Sequence, residues 1–461
     1  MNELLNSLAG DPGRDTPAIP LRIVDQAGFD RWLADAGEIG RNYAAATGFE
    51  PGQDRVLLVP GPDGRLAEVL VGRSDDGATW TLASLPKQLP EGDFELRDAA
   101  ALPVESLALG WALGSYRFDR YKSMASSAAR LRVDAAMRDR LAPLIEAWAW
   151  VRDLVNTPAS DLGPAELADE AAALAKRHGA RIEVIDGERL AREFPAIEAV
   201  GRASTRAPRL ICMRWGEPGD PPLALVGKGV VFDSGGLNLK SAAGMVLMKK
   251  DMGGAAHALA LAGLVMQQGW PVDLRVYVPA VENAVSGNAY RPSDIVRTRS
   301  GTTVEIGNTD AEGRVVLADA LTLAGEQGAE RIIDFATLTG AARIALGEDV
   351  MPLYARDAAQ ARALQDLSFE LDDPLWHMPL YYPYKQLIQP RLAELTNSGG
   401  TSHGGSLTAA LFLEHFVPQG VDWMHLDIYA WNTADRPGRP AGGEAQSLRT
   451  LSSWLEQRYR R

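Results

Sequence analysis

Past residue 150 the chain keeps repeating one unit that few folds accept: a near-continuous apolar run, a glycine, then helical periodicity. The runs are RIEVI, PRLICMRW, LALVGKGVVF, DLRVYVPAV, RIIDFATL and MHLDIYAW, with helices expected to follow Gly253, Gly313, Asp357 and Ser406. A strand that is apolar at nearly every position has no face to offer to water, so its sheet must be covered on both sides. Alternation of such strands with helices predicts an α/β fold with a mixed, mainly parallel sheet between helices. In sheets of this kind ligands bind beyond the carboxyl ends of the strands.

A chain of 461 residues exceeds what one core usually organises, and two domains are expected. Residues 1–150 read as a smaller α/β domain, in which strand-like runs (LRIVD, RVLLVP, AEVLVG, TWTLASL) mix with helical pattern. In the same domain an Ala- and Arg-rich run from Ser126 leads into a long amphipathic stretch through Arg152. No reactive side chains cluster there, so a structural, regulatory or assembly role is expected. The larger domain, 151–461, begins near VNTPASDLGPAELADEAAALAKRHG, where Pro158 and Pro164 interrupt regular structure and the acidic stretch Glu166 to Glu170 suits a helix N-terminus.

The net charge of −13 argues against nucleic acid or an anionic membrane as the main partner. No apolar window is long enough to span a bilayer, and no signal peptide is visible, so a cytoplasmic location is expected. The single cysteine, Cys212, rules out an intramolecular disulfide or a cysteine-rich metal site and reads as an inert core thiol.

Two strand-to-helix junctions carry charge that is out of place among apolar residues. VGKGVVFDSGGLNLKSAAGMVLMKKDMGG holds Lys228, Asp233, Lys240 and Asp251, and NTDAEGR holds Asp310, Glu312 and Arg314. Such charge is costly to bury uncompensated. Two divalent metal ions would balance four carboxylates, and an oxygen-rich set suits magnesium, manganese or zinc. Paired ions need bridging carboxylates, and spacing leaves open which ones bridge. Asp310 and Glu312 would share a side in an extended segment, Gly313 would let the chain turn, and Arg314 would open the next helix. A lone Asp at such a junction is more often a cap than a ligand, and Asp319 reads equally as a satisfied helix residue. Seven ionisable residues at glycine-flanked junctions outweigh that reading. None of the six histidines forms a HExxH pair, and His257 reads as a packed or capping imidazole.

These motifs resemble the leucyl aminopeptidase family (M17), the two-metal cytosolic aminopeptidases. NTDAEGR stands intact, VGKGVVFDSGGLNLK and MKKDMGGAA are similar to the family's other metal-site motifs, and NTPASDL, ENAVSGNAYRPSDI, ATLTGA and GGSLTAALFL are further echoes. The resemblance runs from about residue 150 to the C-terminus. It implies that Lys228, Asp233, Asp251 and Glu312 hold one metal and Asp233, Asp310 and Glu312 the other. Lys240 and Arg314 would be catalytic, and Lys240, Met248, Asn308, Thr337, Leu338 and Gly340 would face substrate. Also implied are manganese or zinc, a bicarbonate held by Arg314, short peptides with a free N-terminus and a leucine-like first residue, and a homohexamer. The chain departs from the family pattern at Ser241 (usually proline), Asn238 (often serine) and His377 (usually arginine).

Only a neutral amine can coordinate, so Lys228 would bind deprotonated. Lys240, further from the metals, would stay charged and stabilise an oxyanion. A P-loop fails because Gly229 follows Lys228 and Pro222 stands where its first glycine belongs, and Ser234 lacks a nucleophile-elbow context. A dimetal phosphoesterase and a non-catalytic scaffold are the competing readings, separable by substrate choice and by chelation.

Overall fold

A computed structural model describes residues 2–10, 17–123 and 128–460. They divide into two compact units, Met1–Ala149 with Asn432–Ala441, and Trp150–Trp431 with Gly442–Arg461. The excursion of Asn432–Ala441 into the first unit has no signal in the sequence pattern.

The first unit is built on six strands, β1 (Leu8–Gly10), β2 (Ile19–Val24), β3 (Val56–Pro60), β4 (Leu66–Gly72), β5 (Gly92–Asp98) and β6 (Ala129–Val133), in the order β1-β6-β5-β2-β4-β3. All neighbours run parallel except β3, which is antiparallel to β4. The expected strand TWTLASL is instead a helical turn, Ala78–Trp80, followed by further turns. The helix Val104–Gly114 lies so close that a Cβ on Gly110 would come 1.6 Å from the Thr79 carbonyl oxygen. Trp80, Leu82, Ala83 and Leu85 are buried without any strand partner, and that contact imitates the apolar signature of a strand. The start of the run from Ser126 lies outside the described residues; β6 and the helix Ala135–Asn156 follow it.

The second unit contains β7 (Arg181–Ile185), β8 (Arg209–Trp215), β9 (Pro222–Gly227), β10 (Gly229–Asp233), β11 (Asp273–Asn283), β12 (Ile295–Arg297), β13 (Thr303–Glu305), β14 (Arg331–Ala336), β15 (Met351–Ala355), β16 (Leu375–His377), β17 (Leu395–Thr396) and β18 (Asp422–Asp427). Its main sheet has the order β16-β15-β18-β14-β9-β11-β8-β7, with β10 beside β11, while β12, β13 and β17 form a small separate sheet. Strands β18, β14, β9, β11 and β10 are mutually parallel. Every residue of β14 is buried, so the sheet is covered on both faces there. The helices Gly253–Gln268 and Glu312–Glu326, buried along most of their length, pack on it.

The run LALVGKGVVF does not make one strand. It breaks at Lys228, whose N–H donates to the Phe335 carbonyl (2.9 Å) and whose carbonyl accepts from Ala255 N–H (2.8 Å). The chain then steps sideways, so that β9 lies between β11 and β14 while β10 pairs with the far end of β11. The helix expected after Asp357 is capped by that side chain through Ala359 and Gln360 N–H. Pro164 opens the helix Pro164–His178, and Glu166 reaches back to Gly163 N–H at 2.9 Å. Cys212, on β8, is partly buried, and burial pushes its thiol up to about 12. Among the described residues no helix is long and apolar enough to cross a membrane.

Candidate active site

The parallel strands all finish on one side of the sheet. Lys228 follows β9, Asp233 ends β10, Asn283 ends β11, Thr337 follows β14 and Asp427 ends β18. Asp251 comes from the short turn Met248–Met252, and Asp310 and Glu312 from the segment that enters the helix Glu312–Glu326. Together they line a cleft of about 940 Å³, except Asn283, which supports it from behind. Oxygens of Asp233, Asp310 and Glu312 lie within 4.8 Å of one another. The Lys228 ammonium sits 2.7 Å from Asp251 Oδ2, 2.8 Å from Glu312 Oε1 and 2.9 Å from the Thr337 carbonyl. The Lys240 ammonium lies 2.7 Å from Asp233 Oδ2 and touches Asp310.

Two local expectations change. Asp310 and Glu312 do not lie in an extended segment: Asp310 is in a turn closed by its own N–H on Asn308 Oδ1 (2.8 Å), and Glu312, not Arg314, opens the helix. Gly313 serves close approach rather than a bend, because a Cβ there would stand 2.5 Å from Lys228 Cε and 2.7 Å from its Nζ. Lys240, expected to stay charged, is paired with two of the carboxylates.

The local field is strongly unbalanced. Burial pushes the Glu312 carboxyl well above its ordinary range, and Asp233 beside it adds to the push. Asp233 rises too, by burial and then by Asp251. At Asp251 burial opposes ionisation, but Lys228 and Lys250 outweigh it and hold the carboxyl below its usual value. Lys228 and Lys240 both rise, since their carboxylates outweigh the burial that works against them. Lys228 and Lys240 are the two cations in direct contact with the four carboxylates, and Glu312 Oε2 is buried with no hydrogen-bond partner among the described residues. Hard dications fit such a donor set. Arg314 also lines the cleft; it is 8% exposed, its guanidinium makes no hydrogen bond or ion pair among the described residues, and it is lowered by burial to about 10.

Residues 149–452 match the model of the cytosol aminopeptidase family, catalytic domain, and residues 19–134 that of the M17 aminopeptidase N-terminal domain. The chain belongs to the cytosol aminopeptidase family. A probable cytosol aminopeptidase of Syntrophotalea carbinolica is 39% identical over 92% of this chain and 90% of its own length. A cytosol aminopeptidase from Coxiella burnetii, 45% identical, superposes with a TM-score of 0.94 over 99% of this chain and 100% of that one. The bottromycin maturation enzyme BotP in complex with Mn is 33% identical, with a TM-score of 0.84 over 95% of this chain and 98% of that one. The protein is therefore a peptidase, a metal-dependent aminopeptidase by family. The match of the N-terminal unit extends the family beyond the motifs, which begin only near residue 150.

In this aminopeptidase Met248, Asn308, Thr337, Leu338 and Gly340 all line the cleft. Thr337 also donates its hydroxyl to Asp251 Oδ1 at 2.8 Å. The departures from the family pattern have local explanations at two places. Ser241 caps the short helix Ala242–Met245 through Gly244 N–H, and Asn238 exchanges bonds with Thr309, its N–H to the Thr309 hydroxyl and its Oδ1 from Thr309 N–H, both 2.8 Å. His377 sits on β16 and is not among the lining residues.

Several supports were not singled out from the sequence. Asn283 donates to Asp233 Oδ1 at 2.7 Å and to the Thr309 carbonyl. Asn397, fully buried, accepts from Gly307 and Asn308 N–H and donates to the carbonyls of Asn308 and Ala311, holding the loop that carries Asp310. Asp427 gathers the N–H groups of Leu338 and Thr339. Lys250 lines the cleft with its ammonium 4.8 Å above the Tyr429 ring and is lowered by burial to about 8. Asn283 lies within a quoted motif, whereas Asn397 carries no sequence signal, being a neutral amide about ninety residues from its partners.

Proposed function

We propose that the cleft releases the N-terminal residue of short peptides, using two divalent metal ions held by Lys228, Asp233, Asp251, Asp310 and Glu312. The observation that supports this most is the convergence of Asp233, Asp310 and Glu312 oxygens within 4.8 Å, with a buried Glu312 oxygen left over. By resemblance Lys228, Asp233, Asp251 and Glu312 form one ligand set and Asp233, Asp310 and Glu312 the other. Bound there, the dications would supply charge neutralisation and lower the pKa of a coordinated water.

The chain's own residues do the rest. Lys228 would ligate as the neutral amine, its proton passing to solvent, a loss that the surrounding carboxylates alone oppose. Lys240 leaves Asp233 and Asp310, keeps its charge, and donates to the carbonyl oxygen of the scissile peptide as negative charge grows there. Arg314, with a guanidinium free of protein partners among the described residues, holds a planar oxyanion such as bicarbonate, which supplies a proton acceptor. The apolar lining of Met248, Leu338, Met351 and Ile428 favours a leucine-like first side chain. Manganese or zinc is the expected metal; the Mn complex of the related BotP supports manganese. The relatives' names support a cytoplasmic setting, and family resemblance supports a homohexamer, which light scattering would size.

The test is hydrolysis of leucine p-nitroanilide against p-nitrophenyl phosphate on metal-defined protein, with Asp310→Ala and Glu312→Ala alongside. Anilide turnover that disappears together with bound metal in both variants supports the reading. Turnover that survives either change, or that favours the phosphate ester, refutes it.

A further inference from the structure

A second cavity of about 320 Å³, away from the cleft, is floored by the antiparallel strands β11, β8 and β7. Its size is within the range of small-molecule pockets. Strand register lays its floor in rows: Arg181, Arg214 and Arg275 stand abreast, and beside them Glu183, Cys212 and Tyr277. Phe194 and Leu323 close the apolar end.

Like charges directly opposite one another weaken a sheet unless something offsets them. Here the offset is incomplete. Asp273 bonds both Arg214 (2.9 Å twice) and Arg275 (2.6 Å), and Arg181 makes no ion pair among the described residues. Glu183 is engaged by Arg189 instead. The row therefore carries three positive charges against one negative. One buried donor in the cavity, Nε of Arg275 (a residue 8% exposed), lacks a partner among the described residues, and Tyr277, 5% exposed, lines the same cavity.

We infer that this cavity is a second, non-catalytic binding site for a small phosphate monoester with a compact apolar or aromatic body. The dianionic head lies on the Arg181, Arg214 and Arg275 row, where guanidinium forks match phosphate oxygens and the two uncompensated charges match its own. The Tyr277 hydroxyl donates to it, and the body rests against Phe194 and Leu323.

Phenyl phosphate is the probe, titrated calorimetrically into the metal-loaded full-length protein. Because phosphate also has affinity for dications, the titration is repeated in Asp310→Ala, which alters the cleft, and in Arg181→Glu and Tyr277→Phe, which alter the cavity. Arg181 is exposed and Tyr277→Phe removes a single oxygen, so both variants are expected to keep the parent thermal midpoint. The expected result is binding kept in Asp310→Ala but weakened about tenfold in each cavity variant, with phenol not binding. Affinity unchanged in both cavity variants, or lost in Asp310→Ala alone, overturns the site. Benzoate binding as tightly as phenyl phosphate overturns the assignment to phosphate.

Discussion

Gly313→Ala isolates the placement of Lys228 from its chemistry. The new methyl would start 2.5–2.7 Å from Lys228 Cε, Cδ and Nζ, so an ordinary 3.4 Å contact requires the lysine end to retreat about 0.7–0.9 Å. Its contacts with Asp251, Glu312 and the Thr337 carbonyl, now 2.7, 2.8 and 2.9 Å, would stretch to about 3.4–3.8 Å, past useful hydrogen-bond range. Overpacking costs about 1–3 kcal/mol, and alanine in place of glycine near a helix start returns up to about 1 kcal/mol, so the fold should survive. Activity should not: a displacement approaching 1 Å at a catalytic ligand costs about 100-fold. The assay is kcat/KM on leucine p-nitroanilide with metal content by elemental analysis and the thermal midpoint. In the double variant with Lys228→Met, the glycine change should add almost nothing, because it acts through that side chain. Full activity and full metal content in Gly313→Ala, or clean additivity in the double variant, would refute the reasoning.

Other perturbations separate the remaining roles. Lys240→Ala should lower kcat while both metals stay bound; loss of metal would mean that this lysine is a ligand. Asn397→Ala removes four bonds from the Asp310 loop and should cost about 2–4 kcal/mol in denaturant unfolding, with a matching fall in kcat/KM. His257 is lowered to about 4 by burial, with Nδ1 bonded to the Gly253 carbonyl and Nε2 accepting from Gln446 N–H. Its folded value lies below its unfolded one, so its contribution to stability is complete above about 6.5 and is lost as pH falls towards 4. The stability gap between the parent and His257→Gln should therefore narrow across that window, and a constant gap would contradict the assignment. Cys212, its thiol raised by burial, should alkylate far more slowly than a free thiol at pH 8; rapid labelling would show that the strand opens.

Strand identity in the second unit was legible because burial on both faces writes a continuous apolar run: β7, β8 and β14 lie within the expected segments, while β11 runs past the end of its segment to Asn283 and β18 starts ahead of its own at Asp422. The same logic misled at TWTLASL, where contact with the helix at Gly110 produces identical burial with no sheet partner. The seven charged residues were legible as a set, since charge flanked by glycine among apolar residues has little structural use.

What the sequence determined alone was therefore which charged side chains gather and on which side of a parallel sheet, because both follow from local composition and strand direction. Tertiary structure decided what spacing cannot encode. It broke the run at Lys228 by giving that backbone to β14 and the helix behind it, and it brought Asn397 under the Asp310 loop from far along the chain. It also set three arginines abreast on β7, β8 and β11. Contacts between segments distant in sequence depend on register and packing, and those come into being only when the whole unit closes.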